Sequence, residues 1–440
     1  MPENGETAPL LGENIPNLAR NPNAPPDNAR RAATVRAITY GVLTTAFLVA
    51  LVLFLFLWDT FTGIGHLPED PHQAALIVLK NSPVIVSTMP YLPILVRELF
   101  ANNASAVDLS KEFPGHLDIP RLAEGKVGGF FWSVYVNCPG PDEGDDFLNA
   151  TWRVRDTLEQ IDIAKLLINK YPDTFSYALT SKDVKTAMSR GKIASLLGVE
   201  GGHQLGNSLQ VLRTYHELGV RYVTLTHACH NAFADSCGIQ PGLEPRWGGL
   251  SEYGYALVEE LNRLGVLVDL SHTSDDTAKQ ALKHSKAPVI WSHSSARAVH
   301  DVPRNVPDDV LELIGTGPNQ TDAVVMVNFA PYFVAPPGKA DLNAVANHIE
   351  HIGKVAGRKH VGLGSDYDGI GDVPVGLEDV TKYPDLVAEL YKRGWNAQEL
   401  AGLTSGNLLR IMEGAERVAA ELQRSGAQPV MARYDKRTDL

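Results

Sequence analysis

The sequence predicts an α/β fold, a (β/α)8 barrel of the TIM type, preceded by a disordered tail and one transmembrane helix. From Ala74 onward, eight short apolar runs rich in β-branched residues alternate with amphipathic helical stretches, which is the pattern of parallel βα units. An uncharged apolar segment near the N-terminus predicts the membrane helix. With 440 residues, 44% of them hydrophobic, the chain can bury a large core.

Three N-terminal elements are predicted before the barrel. Residues 1–36 contain six Pro and six Asn with little apolar periodicity, so they should form a disordered cytosolic tail. Residues 37–58 are 22 uncharged, mostly apolar residues, enough to cross about 30 Å of hydrocarbon as a helix, and residues 59–73 form a stalk. Arginines precede this helix and acidic residues follow it, which places the N-terminus in the cytosol and the barrel in a lumen or outside the cell.

Sequence signals for modification and sorting agree with this single-pass type II topology. Sequons for N-glycosylation occur at Asn103, Asn149 and Asn319, all on the C-terminal side of the predicted helix. Glu6, Leu10 and Leu11 have the form of an acidic dileucine signal, which would direct the protein to an endosomal or vacuolar membrane. If this leucine pair is accidental, the plasma membrane stays open as the destination.

Charge and cysteine content exclude two classes of protein. With 39 basic and 51 acidic side chains the net charge is −12, which argues against a sequence-independent nucleic-acid binder. Three cysteines are too few for a disulfide-rich scaffold, and they lack the C-x-x-C spacing of a structural zinc site. One bridge can form, between Cys138 and either Cys229 or Cys237.

The barrel domain is predicted over residues 74–423, with a tail at 424–440. Its eight strands are predicted at residues 84–87, 127–136, 193–200, 222–227, 266–272, 289–293, 324–329 and 361–366. Amphipathic helices are predicted at residues 157–169, 209–218, 252–264, 277–284 and 342–356. Terminal helices over 396–423 should pack outside the barrel.

Ionisable residues end five of the predicted strands: Glu200, His227, His272, His293 and Asp366. The carboxyl ends of barrel strands meet at one mouth, so these side chains should converge. Imidazole and carboxylate are catalytic zinc ligands, and bound zinc lowers the pKa of its water toward ~7. The cluster therefore predicts a zinc-dependent hydrolase. A Ser-His-Asp hydrolase is less well supported, because Ser292 and Ser294 lie in no Gly-x-Ser-x-Gly motif.

Several long motifs resemble the membrane (renal-type) dipeptidase family, zinc-dependent metallopeptidases with an amidohydrolase-like barrel, over about residues 74–423. In order along the chain, the motifs are DIPRLAEGKVGGFFWSVYVN from Asp118, EGGHQLGNSL from Glu200, RYVTLTHA from Arg221, GVLVDLSHT from Gly265, PVIWSHSSARA from Pro288, PRNVPDDV from Pro303 and HVGLGSDYDGI from His360. The resemblance implies hydrolysis of dipeptides by a metal-bound hydroxide, with two zinc ions per subunit and a possible homodimer.

The resemblance also implies a metal centre and a disulfide. Glu200 would bridge the two zinc ions, and His272 and His293 would complete one of the two sites. Cys138 and Cys229 would form the bridge.

Substrate-binding and catalytic roles follow from the same resemblance. Arg304 would bind the C-terminal carboxylate of the dipeptide, a task that suits a guanidinium fork. His227 would lie near the substrate carbonyl and stabilise the oxyanion. Asp366 would act as acid and base, with Asp368 as the alternative.

The chain departs from the family pattern at the end of the first predicted strand. There the family has Asp-Gly-His-x-Asp-Leu-Pro, whose His and second Asp complete the other zinc site. This chain reads VSTMPYLP over residues 86–93, and Met89 and Tyr91 fall nearest the missing ligands. We expect neither to replace them. His116 and Asp118 have the His-x-Asp form but match another family segment, and we expect them to serve loop structure.

Two explanations of this departure remain open. The six residues 86–91 are a sequence error in an intact dipeptidase, which we favour, or the protein is a catalytically impaired, membrane-tethered variant that holds one zinc at most. For the function of the chain, a third hypothesis is a different metallohydrolase that acts on amide or lactone substrates.

Overall fold

The structure, a computed structural model, describes residues 27–62, 67–87, 91–139, 147–148, 151–239 and 242–437. The proposed sorting signal in residues 6–11, the sequon at Asn149 and residues 88–90 of the altered segment lie outside the described residues. The chain divides into two units, Met1–Gly65 and His66–Leu440.

The described part of the first unit is one helix, α1 (Asp27–Thr62). Within it, Arg31–Phe54 is long and apolar enough to cross a membrane, judged by length and composition, and none of it is buried. The helix extends beyond the predicted span at both ends, so residues 27–36, predicted as disordered tail, are helical. Ala and Arg are frequent before the apolar segment, and both favour helix.

The second unit is a closed barrel of eight parallel strands with one additional short strand. In chain order the strands are β1 (Val84–Val86), β2 (Val127–Val134), β3 (Phe175–Tyr177), β4 (Ile193–Glu200), β5 (Val220–Thr224), β6 (Leu267–Asp269), β7 (Val289–Trp291), β8 (Ala323–Val327) and β9 (Val361–Leu363). Pairing of β1 with β2 and β9, and of β2 with β4, closes the ring. Strand β3 pairs with the start of β4, and a strand of three residues is too short to show a periodicity.

Helices pack around the strands and across one end of the barrel. They are α2 (Pro71–Asn81), α3 (Leu92–Phe100), α4 (Ile119–Glu124), α5 (Thr151–Lys170), α6 (Ser181–Ser189), α7 (Leu209–Leu218), α8 (Glu252–Leu264), α9 (Asp275–His284), α10 (Asp308–Leu311), α11 (Pro331–Val334), α12 (Leu342–Ile352), α13 (Tyr383–Lys392), α14 (Ala397–Ala401) and α15 (Asn407–Arg424). Helices α7 and α8 have the predicted bounds. Their ends are set locally, because Ser208 and Ser251 accept hydrogen bonds from the first helical turn and Gly219 and Gly265 end the helices with positive φ.

Alternate strand residues pack into two cores, because successive strand side chains point to opposite faces. One set packs against the surrounding helices. The other set fills the barrel interior and includes Ile85, Phe131, Leu196, Tyr222, Leu267, Ile290 and Met326. Helix α15, predicted to pack outside the barrel, joins this interior cluster through Leu408, Ile411, Met412 and Ala415, and so closes one end.

Candidate metal centre

The barrel interior becomes polar toward the carboxyl ends of the strands. Along each strand, the inward-facing positions beyond the apolar cluster carry polar residues. They form a layer of fully buried side chains: Ser87, Ser133, Glu200, Thr224, Asp269, Ser292 and Asn328. In this layer, only Glu200 was predicted as a strand-end residue. The others carry the same period of two, which is the sequence signal that could have found them.

Three predicted ligands meet at one point in this layer. The Glu200 Oε1 atom lies 3.2 Å from His272 Nε2 and 3.1 Å from His293 Nε2, and the two Nε2 atoms are 3.0 Å apart. Bonds of about 2.0–2.1 Å to a tetrahedral metal ion would place such atoms about 3.3 Å apart. The buried imidazole and carboxylate donors therefore fit one divalent metal ion.

The orientation of His293 is fixed by residues behind it. Its Nδ1 lies 2.8 Å from Ser292 Oγ, which in turn donates a hydrogen bond to Asp269 Oδ2 (2.6 Å). Because the serine proton goes to Asp269, Ser292 Oγ accepts from His293 Nδ1–H. This leaves the lone pair on His293 Nε2 for a metal, as expected for a ligand held from behind.

Electrostatics favour an ionised Glu200 carboxylate and a neutral His272 imidazole. Burial opposes ionisation of Glu200, but His293 and His272 hold the pKa of this carboxyl well below its usual range. Burial lowers the pKa of His272 well below its usual value. For His293, burial acts in the same direction, but the carboxylates of Asp366 and Glu200 raise its pKa.

A cavity of about 260 Å³ opens beside the three ligands, near the lower limit of about 300 Å³ for small-molecule sites. Its lining includes His227 and Asp366. The Nε2 atom of His227 lies 3.7 Å from Glu200 Oε1, and burial lowers the pKa of His227 to about 3. Asp366 Oδ2 accepts from Asn328 Nδ2 (3.1 Å), whereas its buried Oδ1 has no partner in the described part of the chain. Burial raises the pKa of Asp366.

Arg304 is a buried guanidinium with unused donors. Its Nη1 donates to Ser294 Oγ (2.7 Å), and its guanidinium carbon lies 5.5 Å from the centre of the Phe333 ring, which lines the cavity. The Nε and Nη2 atoms are buried without a hydrogen-bond partner among the described residues. These two donors form one edge of the fork, the geometry that binds a carboxylate with two parallel hydrogen bonds.

Other residues that the sequence analysis named make structural contacts. Asp368 Oδ1 accepts from the backbone N–H of His116 (2.6 Å), and Asp118 caps α4 by accepting from Arg121 N (2.9 Å). Cys138 and Cys229 form the disulfide, and Cys237 is the free thiol.

Four of the five predicted strand ends are wrong in detail. Only Glu200 ends its strand, whereas His227, His272, His293 and Asp366 follow β5, β6, β7 and β9 by two or three residues. At His272 and Asp366 the backbone has φ of +64°, which removes it from the extended conformation. Such conformations cost non-glycine residues free energy and cluster at functional sites.

Tyr91 contributes a contact that the sequence did not reveal. It follows β1 in the chain and is 6% exposed. Its hydroxyl donates to Glu200 Oε2, and Ser133 Oγ donates to the same oxygen (3.0 Å).

Comparisons with known proteins give consistent matches. Residues 72–426 match the sequence model of a family described as membrane dipeptidase, peptidase family M19. An uncharacterized dipeptidase of Schizosaccharomyces pombe is 43% identical over 397 residues, which cover 89% of this chain and 93% of that protein. The dipeptidase aclJ of Aspergillus oryzae is 47% identical over 316 residues, covering 71% and 72% of the two chains. The crystal structure of a metallopeptidase of Rhodobacter sphaeroides contains a phosphinate mimic of the dipeptide L-Ala-D-Ala. That protein is 26% identical to this chain and aligns with a TM-score of 0.66, covering 76% of this chain and 99% of that chain.

Proposed function

This chain belongs to the membrane dipeptidase family, peptidase family M19, a family of metal-dependent hydrolases, and we propose that it is a zinc-dependent dipeptidase acting on dipeptides with a free C-terminal carboxylate. The observation that carries the proposal is the convergence of Glu200, His272 and His293 beside a small cavity. Two imidazoles and a carboxylate are a typical ligand set for catalytic zinc.

Arg304 supports the substrate assignment. A dipeptide carboxylate could accept hydrogen bonds from its Nε and Nη2, whose hydrogen-bonding capacity is unused by the described residues. Burial makes an unpaired guanidinium costly, so the binding of an anion there is favourable. A fixed distance between this carboxylate and the metal ligands would select short peptides.

The remaining roles belong to His227 and Asp366. Burial keeps His227 neutral, so it would donate one N–H to the carbonyl oxygen as negative charge develops there. Asp366 Oδ1 has no hydrogen-bond partner among the described residues and the pKa of Asp366 is raised, so its carboxyl would carry a proton to the departing amine. When bound, the zinc ion would supply Lewis acidity, which polarises the scissile carbonyl and lowers the pKa of water toward ~7.

The test is hydrolysis by the full chain purified in detergent. We expect turnover of a simple dipeptide that disappears after chelation, returns with Zn²⁺ and is lost in Glu200→Gln. The matched control is Glu413→Gln, because the Glu413 carboxylate pairs with Lys185 at the surface and should not affect turnover. Bound metal without turnover of any dipeptide would contradict the proposal and favour the impaired alternative.

We further propose that α1 anchors the chain as a type II membrane protein with the barrel in a lumen or outside the cell. In α1, the hydroxyls of Thr39, Thr44 and Thr45 donate to backbone carbonyls four residues earlier, which satisfies them inside hydrocarbon. Asn103 and Asn319 are exposed, as glycan acceptors must be.

Glycosidase treatment of the protein from its native membrane tests this topology. We expect a shift in mobility that decreases in Asn103→Gln and Asn319→Gln variants. A wild-type protein without glycans, and a barrel that is digested by protease only from the cytosolic side, would refute it.

A further inference from the structure

We propose that Tyr91 takes the place of the second metal ion, so that the centre holds one metal ion per chain. The hydroxyls of Tyr91 and Ser133 donate to the Glu200 oxygen that a second ion would need as a ligand. The inference rests on the proposed metal centre but not on turnover. It makes Tyr91 a positioning residue that acts through Glu200.

The two oxygens of Glu200 have different surroundings. Oε1 faces His272 and His293 at 3.2 and 3.1 Å, whereas Oε2 accepts hydrogen bonds from Tyr91 and Ser133. A carboxylate oxygen has two lone-pair sites. Two hydroxyl donors use both sites on Oε2, so Glu200 can offer only Oε1 to a metal ion and cannot bridge two.

The ring of Tyr91 is accommodated by its surroundings. It contacts Tyr135 edge-on, with ring centres 5.7 Å apart. A Cβ atom at Gly369 would lie 2.1 Å from the Tyr91 ring and 2.7 Å from Asp366 Oδ1, so only glycine leaves room for both side chains. The ring therefore lies in the space beside Glu200 and Asp366.

Second-site ligands are also missing. Residues 86–93 contain no His, Asp, Glu or Cys. Among the described residues, the only other cluster with metal-ligand atoms is Cys138, His203 and Cys229, and its cysteines form the disulfide. The hydrogen bond from Tyr91 to Glu200 is buried, so the chain as written fits a centre that binds one metal ion.

Metal counting on the full chain tests the inference. The protein in detergent is saturated with Zn²⁺ or Co²⁺, freed of excess metal and measured by elemental analysis. We expect one ion per chain for the wild type, and a count of two would overturn the inference. A transcript that encodes His-x-Asp across residues 86–91 would also overturn it.

The Tyr91→Phe variant tests the hydrogen bond, because it removes the hydroxyl and keeps the ring. With one of the two donors to Oε2 removed, this oxygen has a free lone-pair site and Glu200 can bind Co²⁺ through both oxygens. The coordination number should then rise and the visible Co²⁺ absorption should weaken. Tyr255→Phe, which removes a hydroxyl on α8 that donates to Gln280 on α9, is the matched control and should keep the wild-type spectrum. A wild-type spectrum in Tyr91→Phe would overturn the positioning role. If one ion is bound but no dipeptide is cleaved, the proposed function fails and this inference stands.

Discussion

Single side chains at the candidate metal centre are held by buried partners beside them in the chain and on neighbouring strands. His293 is oriented by Ser292 beside it and by Asp269 at the end of β6. Asp269 also accepts from Thr224 Oγ1 (2.5 Å) on β5, so one buried carboxylate links three neighbouring strands. These contacts are already formed in the folded protein, so a metal ion that binds there would not have to order them.

Replacement of Ser292 should weaken metal binding without removing a ligand. In Ser292→Ala, His293 Nδ1 loses its acceptor, and we expect a roughly 10- to 100-fold lower metal affinity. Competition with a chromogenic chelator measures it. Ser195→Ala is the matched control, because Ser195 Oγ is equally buried on β4 but has no hydrogen-bond partner in the described structure. Equal affinities in both variants would contradict the role of Ser292.

Arg304 should recognise the substrate carboxylate through its fork. In Arg304→Lys the charge remains but the paired donors are lost, so kcat/KM for a dipeptide should fall roughly 10- to 100-fold, equivalent to about 1.5–3 kcal/mol. The control is the same dipeptide with an amidated C-terminus, for which wild type and variant should be similar. An equal loss with both substrates would show that Arg304 acts through folding.

At the scale of elements, buried histidines join helices to barrel loops. His348 on α12 accepts from Ala296 N (3.0 Å) after β7 and lies 2.8 Å from the carbonyl of Val334, which ends α11. Ala296 N is the donor to Nδ1, so the ring must be neutral with its proton on Nε2. Burial lowers the pKa of His348 to about 4 from its usual 6.5.

This histidine should make folding stability depend on pH. Its pKa is lower in the folded than in the unfolded protein, so the unfolded chain takes up the proton first as the pH falls. The stabilisation is fully present above pH 6.5 and is lost as the pH falls toward 4. His348→Gln should reduce the slope of unfolding free energy against pH by up to about 1.4 kcal/mol per pH unit in this window. Denaturant titrations at several pH values measure this slope. The control is His72→Gln, because His72 lies at an exposed site. An unchanged slope in His348→Gln would show that His348 does not cause the pH dependence.

At the scale of the whole barrel, closure brings together residues that are far apart in the chain. Tyr91 and Glu200 are 109 residues apart, and the disulfide joins two cysteines 91 residues apart. The disulfide connects the segment after β2 with the segment after β5. Cys138 Sγ also lies 3.8 Å from His227 Nδ1, so the bridge borders the proposed substrate site.

Loss of the disulfide should destabilise the barrel. The bridge closes a long loop and so restricts the unfolded chain, for which typical stabilisation is about 2–5 kcal/mol. The Cys138→Ala/Cys229→Ala double variant should lose that much unfolding free energy in denaturant titrations. Cys237→Ala, at the free thiol, is the control and should lose clearly less. A double variant as stable as the wild type would contradict this role.

The sequence by itself determined the barrel, the bounds of α7 and α8, and the three residues Glu200, His272 and His293, which converge as candidate metal ligands. These features depend on local causes: periodicity, capping residues and a polar residue directly after an apolar run. Only the tertiary structure decided that Ser133 and Tyr91 bind Glu200, that Asp269 holds Ser292 and that α15 closes one end of the barrel. Those contacts depend on the register and closure of strands far apart in the chain, which no local pattern encodes.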